Sequence, residues 1–441
     1  MPLPRGLALL LLVGFVVMPA RAEVAAPAGF TALYNGRDLA GWRGGDTYDH
    51  RQWLALPAAE RAAKDATWTA DMLKHWRAEG DELVNDGGGQ YATTVREYGD
   101  FELLVDYRTV PLADSGIYLR GCPQVQIWDY TEKAKFALGA ARGSGGLWNN
   151  SPGAPGKDPL VKADRPFGEW NRFRVLMLGS RVSVWLNGLL VVDHALLENF
   201  YDRTQPVPAH GPIQLQTHGG EIHWRNIYVR EIGTDEANRL LAARGGDAAF
   251  TPIFNGRDFS GWKGPVENYE IVDGAIVCRP KTGGTIYTQE EYSDFVVRLE
   301  FKVPPGGNNG LALRYPGSGD TAYVGFAECQ VLDDNYEQAT GSPIDPRQAH
   351  GSAYGMIAAA RGYQRPTGAW NFEEVTVRGS TMKVELNGTV ILNGDLAKVT
   401  DFLGGHEHPG KDRRTGSFGF AGHNDPVAFR NIQIKRLPSG P

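Results

Sequence analysis

The sequence predicts an all-β protein built as two β-sandwiches in tandem, the first carrying a helical insert. Three observations carry this. Glycine and proline number 56 and 27 in 441 residues, a turn-heavy balance that suits many short strands. Two segments, Val182-Ser-Val-Trp-Leu-Asn-Gly-Leu-Leu-Val-Val192 and Lys383-Val-Glu-Leu-Asn-Gly-Thr-Val-Ile-Leu392, join apolar runs through Asn-Gly, whose residues both accept the positive φ a tight hairpin requires. The chain also repeats itself, and its length suits two or three cores better than one.

The repeat is collinear. Phe30-Thr-Ala-Leu-Tyr-Asn-Gly-Arg-Asp-Leu-Ala-Gly-Trp42 returns as Phe250-Thr-Pro-Ile-Phe-Asn-Gly-Arg-Asp-Phe-Ser-Gly-Trp262. Tyr98-Gly-Asp-Phe101 pairs with Tyr292-Ser-Asp-Phe295, and Ser115-Gly-Ile-Tyr-Leu-Arg120 with Asn309-Gly-Leu-Ala-Leu-Arg314. Val125-Gln-Ile-Trp-Asp129 pairs with Cys329-Gln-Val-Leu-Asp333, Trp170-Asn171 with Trp370-Asn371, Leu186-Asn-Gly188 with Leu386-Asn-Gly388, and Arg225-Asn-Ile227 with Arg430-Asn-Ile432. The offset falls from 220 at Trp42/Trp262 to 194 at Arg120/Arg314, so the first copy holds 26 additional residues between them.

In chain order, residues 1–22 read as a secretory leader: Arg5, an apolar run from Leu7 to Met18, and Ala20-Arg-Ala22 before a cleavage point. Export to the periplasm or the outside is the expectation. Residues 23–233 form the first sandwich, with the insert at about 46–80. There Pro57-Ala-Ala-Glu-Arg-Ala-Ala-Lys64 through Trp76 is rich in helix formers behind a proline, which predicts one helix. Phe101–Arg108, Arg172–Met177 and Val375–Arg378 have strand composition. Residues 234–249 predict a short helical linker between independent sandwiches, and 250–438 the second sandwich. No run reaches the ~18 apolar residues of a membrane span. Cys122, Cys278 and Cys329 are too few for a disulfide scaffold; a Cys278–Cys329 bridge and buried free thiols are the two alternatives.

Lysine and arginine total 45 against 51 aspartate and glutamate, a net charge of −6, which argues against general nucleic-acid binding.

The opening Phe-x-x-Leu-Tyr-Asn-Gly-Arg-Asp-Leu-x-Gly-Trp, the Ser-Gly-Ile-Tyr-Leu-Arg-Gly segment, Gln-Ile-Trp-Asp129, Gly168-Glu-Trp-Asn171 and Gly211-Pro-Ile-Gln-Leu-Gln-Thr-His218 together resemble the 3-keto-disaccharide hydrolase domain. The resemblance covers both copies. It implies concanavalin A-like jelly rolls and cleavage of glycosides already oxidised at C3. A C3 ketone acidifies the C2 hydrogen, so a base removes it, the C1 group leaves, and water adds afterwards. Such a site needs a base, a donor or cation for the developing enolate, and an acid for the leaving oxygen.

Candidate residues follow. Glu328-Cys-Gln330 carries the family's Glu-x-Gln strand, and side chains two apart share a face, so Glu328 is the expected base beside Gln330. Asp333 has the opposite parity unless a bulge re-aims it. The first copy has Gln124 where the second has Glu328, with Gln126 and Asp129 following; an amide takes no proton at neutral pH, so either Asp129 substitutes or this copy only binds. Arg120 and Arg314 are candidates for the enolate oxygen or for structural ion pairs. His218 and His423, aligned at an offset of 205, are candidate acids, metal ligands or structural histidines. No cofactor is fixed, and a divalent metal stays open.

Trp128, Trp148, Trp53, Trp68 and Trp76 are candidates for a carbohydrate platform, whereas the repeated Trp42, Trp170, Trp262 and Trp370 read as core. His406-Glu-His408 reads as a solvated loop, and Gly87–Gly89 and Gly143–Gly146 as turns. The partner expected is a carbohydrate; oligomeric state stays open. Three functions stand: a hydrolase or lyase of 3-keto-glycosides, a non-catalytic lectin-like protein, and a laminarinase-like endo-glucanase, the last needing Glu328 and Asp333 facing each other across a cleft.

Overall fold

The computed structural model describes residues 26–244 and 250–438; the expected leader, residues 1–22, lies outside them. Within them the chain forms four antiparallel sheets, paired into two sandwiches. In the first, the larger sheet runs Leu189–Leu196, Arg181–Leu186, Asn171–Leu178, Phe101–Thr109, Ile222–Glu231, Glu82–Asn85, Trp76–Glu79, and Thr31–Ala32 adds to Ile222–Glu231. The smaller runs Trp42–Gly45, Tyr91–Thr94, Gln214–Leu215, Ser115–Leu119, Cys122–Ile127. The second sandwich repeats the plan, its smaller sheet being Trp262–Lys263, Gly283–Tyr292, Gly416–His423, Asn308–Tyr315, Ala327–Leu332. Alternation sets the layers. Phe101, Leu103, Val105 and Tyr107 face Val125 and Ile127 in one core, and Phe295, Val297, Leu299 and Phe301 face Cys329 and Val331 in the other.

The repeated motifs are clasps. The Trp42 indole N–H donates to the Leu33 carbonyl at 2.8 Å and that of Trp262 to Ile253 at 3.0 Å. Asn35 Oδ1 accepts the Arg37 and Asp38 amides, and Asn255 repeats this with Arg257 and Asp258. Both Asn-Gly pairs adopt positive φ, 52° and 84° at Asn187-Gly188 and 49° and 83° at Asn387-Gly388, closing the expected hairpins. Trp170 and Trp370 depart from the expected core placement. Each is half-buried beneath the arginine of the Arg-Asn-Ile strand, Arg225 at 3.9 Å and Arg430 at 4.1 Å from the ring centroid.

The insert forms two helices rather than one, α1 (His50–Ala55) and α2 (Ala58–His75), because Pro57 cannot continue a helix and stands as the N-cap of the second. Helix α2 closes the open edge of the first sandwich. Its backbone crosses Gly44 so closely that a Cβ there would overlap the Trp68 carbonyl, while Met72 and Trp76 enter the core. All three cysteines are buried free thiols, so no Cys278–Cys329 bridge forms.

The segment expected to be a linker does not separate independent bodies. Helix α3 (Thr234–Ala242) lies on the outer face of the second copy's larger sheet, and Ala237 and Leu241 join Leu176, Leu178, Ile232 and Phe372 in a third apolar cluster spanning both copies. Asn238 donates to Glu300 at 3.1 Å, Arg244 bonds Glu374 and Glu385, and Arg181 of the first copy bonds the same Glu385. Even α1 reaches across: Arg51 donates to the Tyr363 hydroxyl at 2.8 Å.

Candidate functional site

The second copy carries a polar cleft on the outer face of its smaller sheet, with a volume of about 160 Å³. Its floor is Glu328 and Gln330 on Ala327–Leu332, with Asn308 beside them and His423 at the end of Gly416–His423. Ala327, Cys329 and Val331 point the other way into the core, so strand parity puts Glu328 and Gln330 on the cleft face together. Gly310 makes the room. A Cβ on it would overlap the Glu328 carboxylate, and Gly116 stands in the same relation to Gln124 in the first copy.

Two walls come from segments with no counterpart among the sequence candidates. Between Arg314 and Gln330 the repeat offset rises from 194 to 204 against Arg120 and Gln126, a ten-residue gain in the second copy. Those residues fold into α4 (Thr321–Val324), capped by Asp320, and bring Asp320 and Tyr323 to the cleft. The offset step was the available signal. The second wall is the 344–354 segment, where Gln348 Nε2 donates to the Tyr354 hydroxyl at 3.1 Å and both side chains face the cleft.

The electrostatics separate two titratable groups. Burial, reinforced by the negative charge of Asp320, raises the Glu328 carboxyl to about 8. Burial lowers the His423 imidazole, against a partial upward pull from Asp320 and Asp425. Near neutrality Glu328 therefore holds a proton and His423 is free to take one.

The two arginines are elsewhere. Arg314, 1% exposed, donates to the carbonyls of Ser293, Gly379 and Arg413 and pairs with Asp294 at 2.9 Å. Arg120 does the same with Gly99, Pro208 and Asp100. Both guanidiniums are consumed in stitching strand ends together, so neither reaches an enolate. Asp333 accepts the Gly306 and Asn335 amides and the Thr367 hydroxyl, and Asp129 accepts the Leu112 amide and both Thr131 donors. They are loop anchors outside the cleft, which removes the Glu328/Asp333 pair a laminarinase-like displacement requires.

The first copy brings its candidates into a closed network. Gln124 donates to Gln126, Gln126 to Asp114 at 2.8 Å, and Lys135 to Asp114 at 3.1 Å, while exposed His218 lies 3.5 Å from the same carboxylate. The segment leading into α1 covers part of this face: Thr47 Oγ1 lies 2.9 Å from both the Tyr91 and Tyr118 hydroxyls. The tryptophans do not form a platform. Trp128 and Trp76 are buried, Trp148 turns edge-on to Trp128 and donates to Leu138, and Trp53 and Trp68 lie under Arg43 and Lys64. His408 also departs from expectation, being buried against Tyr323 and Phe402 rather than solvated; His406 is exposed.

With this geometry in place, comparison with known proteins is decisive at the level of family. A family model described as the 3-keto-alpha-glucoside-1,2-lyase-like domain matches residues 29–230 and again residues 249–435. The chain belongs to this family, in two tandem copies. A 3-keto-disaccharide hydrolase of Bacteroides thetaiotaomicron is 27% identical over 250 residues, which take in 48% of this chain and 86% of the relative. A candidate glycosyl hydrolase of known structure from Parabacteroides distasonis is 25% identical, spans 43% of this chain and 95% of its own, and gives a TM-score of 0.38. The carbohydrate-binding module CBM66 of Bacillus subtilis covers 40% of this chain and 95% of its own at 13% identity, with a TM-score of 0.26.

Among the described residues no three His, Cys, Asp or Glu side chains converge closely enough to hold a divalent metal, so no step below runs through one.

Proposed function

We propose that the second copy of this lyase-like pair cleaves the glycosidic bond of 3-keto-glycosides or related disaccharides, by elimination followed by addition of water. The single observation that supports it most is the pair of groups in one cleft displaced in opposite directions, Glu328 upward to about 8 and His423 downward. Neutral His423 takes the C2 proton, and protonated Glu328 delivers one to the leaving oxygen at C1. This exchanges the roles the sequence suggests. The enolate oxygen that forms at C3 meets the neutral donors of Gln330, Asn308 and Tyr323, since the arginines are engaged elsewhere. The C2–H bond breaks first, its proton going to His423 and its electrons into the enolate. Those electrons then form the C1–C2 double bond as the C1–O bond breaks and the departing oxygen takes the Glu328 proton, and water adds across that double bond. Residues 1–22 would send the protein out of the cytoplasm.

The test is direct. Purified protein supplied with a 3-keto-glucoside should release its aglycone, and E328Q and H423A should each abolish release while retaining the fold. Binding of the substrate with no release by the unaltered protein would overturn the proposal and leave a lectin-like role.

A further inference from the structure

Directly behind the Glu328 strand, inside the second core, lies a polar group that the proposed reaction does not use. Cys329 Sγ donates to Glu373 Oε1 at 3.4 Å, and the other Glu373 oxygen stands 3.1 Å from His350 Nε2, with Glu373 fully buried and His350 nearly so. The imidazole rests on Phe301 at 4.8 Å, and among the described residues neither of its nitrogens has an aligned hydrogen-bond partner. Burying a carboxylate and an imidazole costs free energy that apolar residues would not, and replacing such pairs by apolar groups is often neutral or stabilising.

The first copy shows this replacement in the same fold. Strand pairing sets Phe173 beside Val105 as Glu373 beside Leu299, and Val125 bridges Leu147 as Cys329 bridges Ala353. The Gly145 amide donates to Gln126 as the Gly351 amide donates to Gln330, which places Ser144 where the second copy has His350. There Phe173 simply stacks on Tyr107 at 5.1 Å. The sandwich therefore closes without the polar group, and its presence in the second copy needs a reason other than stability.

That reason is the wall. His350 sits in the segment that delivers Gln348 and Tyr354 to the cleft, and the same segment pairs with the catalytic strand through Gln330 N to Ser352 O and Tyr354 N to Glu328 O, both at 3.0 Å. We propose that Glu373 and His350 are a positioning pair, which by holding the imidazole in the core fixes the 344–354 segment as the wall beside Glu328. The effect on turnover rests on the reaction proposed above; the effect on the segment does not.

The experiment gives the second copy the first copy's residues, H350S/E373F, and measures amide hydrogen exchange across 344–354 together with kcat and KM on a 3-keto-glucoside. The expected result is an unfolding midpoint at or above that of the unaltered protein, faster exchange confined to 344–354, and a KM raised about tenfold with kcat changed less. If the double variant does not fold, E373Q keeps the volume, replaces the carboxyl by an amide and is read by the same exchange. Unaltered exchange in 344–354 in a folded variant overturns the proposal, and so does faster exchange with unaltered kcat and KM. If the unaltered protein turns nothing over, the reaction fails and the exchange result alone decides the pair.

Discussion

Arg181 of the first copy donates to Glu385 of the second through Nε at 2.6 Å, and Glu385 is fully buried. Arg244 completes the group from the residues that follow α3. Burial by itself would raise this carboxyl, but the two guanidiniums hold it down at about 2. A depressed carboxyl stabilises the fold above its unfolded value of 4.5, and that contribution is lost as pH falls toward 2. E385A should cost about 3 kcal/mol near neutrality by leaving Arg181 with no carboxylate and Arg244 with Glu374 alone, and the penalty should shrink below pH 4. Denaturant unfolding of both proteins across pH 2.5–7 measures it.

Glu328 has the opposite linkage. Its carboxyl is raised from 4.5 to about 8, so between those values the folded protein keeps a proton the unfolded chain has released, and stability falls as pH rises. E328Q should be more stable than the unaltered protein at pH 8 to 9, by a few kcal/mol in order of magnitude, with the difference vanishing near pH 4.5. Thermal unfolding midpoints on a pH series give the sign directly.

The same group sets the rate profile. As the proton donor, Glu328 should give an activity that declines above about pH 8, and E328Q should remove all turnover although the first copy is intact. Q124E should not confer activity on the first copy, because Asp114 is already tied to Lys135 and Gln126 and the segment before α1 covers the face. Turnover by the E328Q/Q124E double variant would overturn the assignment of a single reactive copy.

The two hairpin glycines should separate strain from contact. Gly188 and Gly388 share their positive φ, but a Cβ at 188 meets nothing within 4 Å, whereas one at 388 would overlap the Leu178 carbonyl oxygen and lie 3.1 Å from Leu241. G188A should cost about 1 kcal/mol, and G388A distinctly more because the copies must move apart. Differential scanning calorimetry of the two variants makes the comparison.

Much of the fold was legible because it is written twice. Asn-Gly-Arg-Asp, Leu-Asn-Gly and Arg-Asn-Ile each encode a local device, an Asx turn, a hairpin or a strand irregularity with Asn226 and Asn431 at positive φ, and local devices survive in the sequence. The cleft floor was legible for the same reason, since strand parity alone puts Glu328 with Gln330. Arg120 and Arg314 misled because both copies use them for the same structural purpose. Each binds the carbonyls at a strand end, and repetition does not distinguish such a role from chemistry. Asp320 and Tyr323 were hidden because they sit in a segment with no counterpart in the other copy, to which only the step in offset pointed, and Gln348 and Tyr354 because the matching first-copy segment carries different side chains there. The interface was illegible because α3 has the composition of a tether and gains its burial from partners far along the chain, such as Glu300 and Glu374, 62 and 130 residues from their partners.

Helix α3 makes the duplication irreversible. A chain cut before it would expose Leu176 and Leu178 on one half and leave Phe372, Glu374 and Glu385 facing water on the other. The first copy, which has Gln124 where the second has Glu328, is thus the surface against which its sibling is packed.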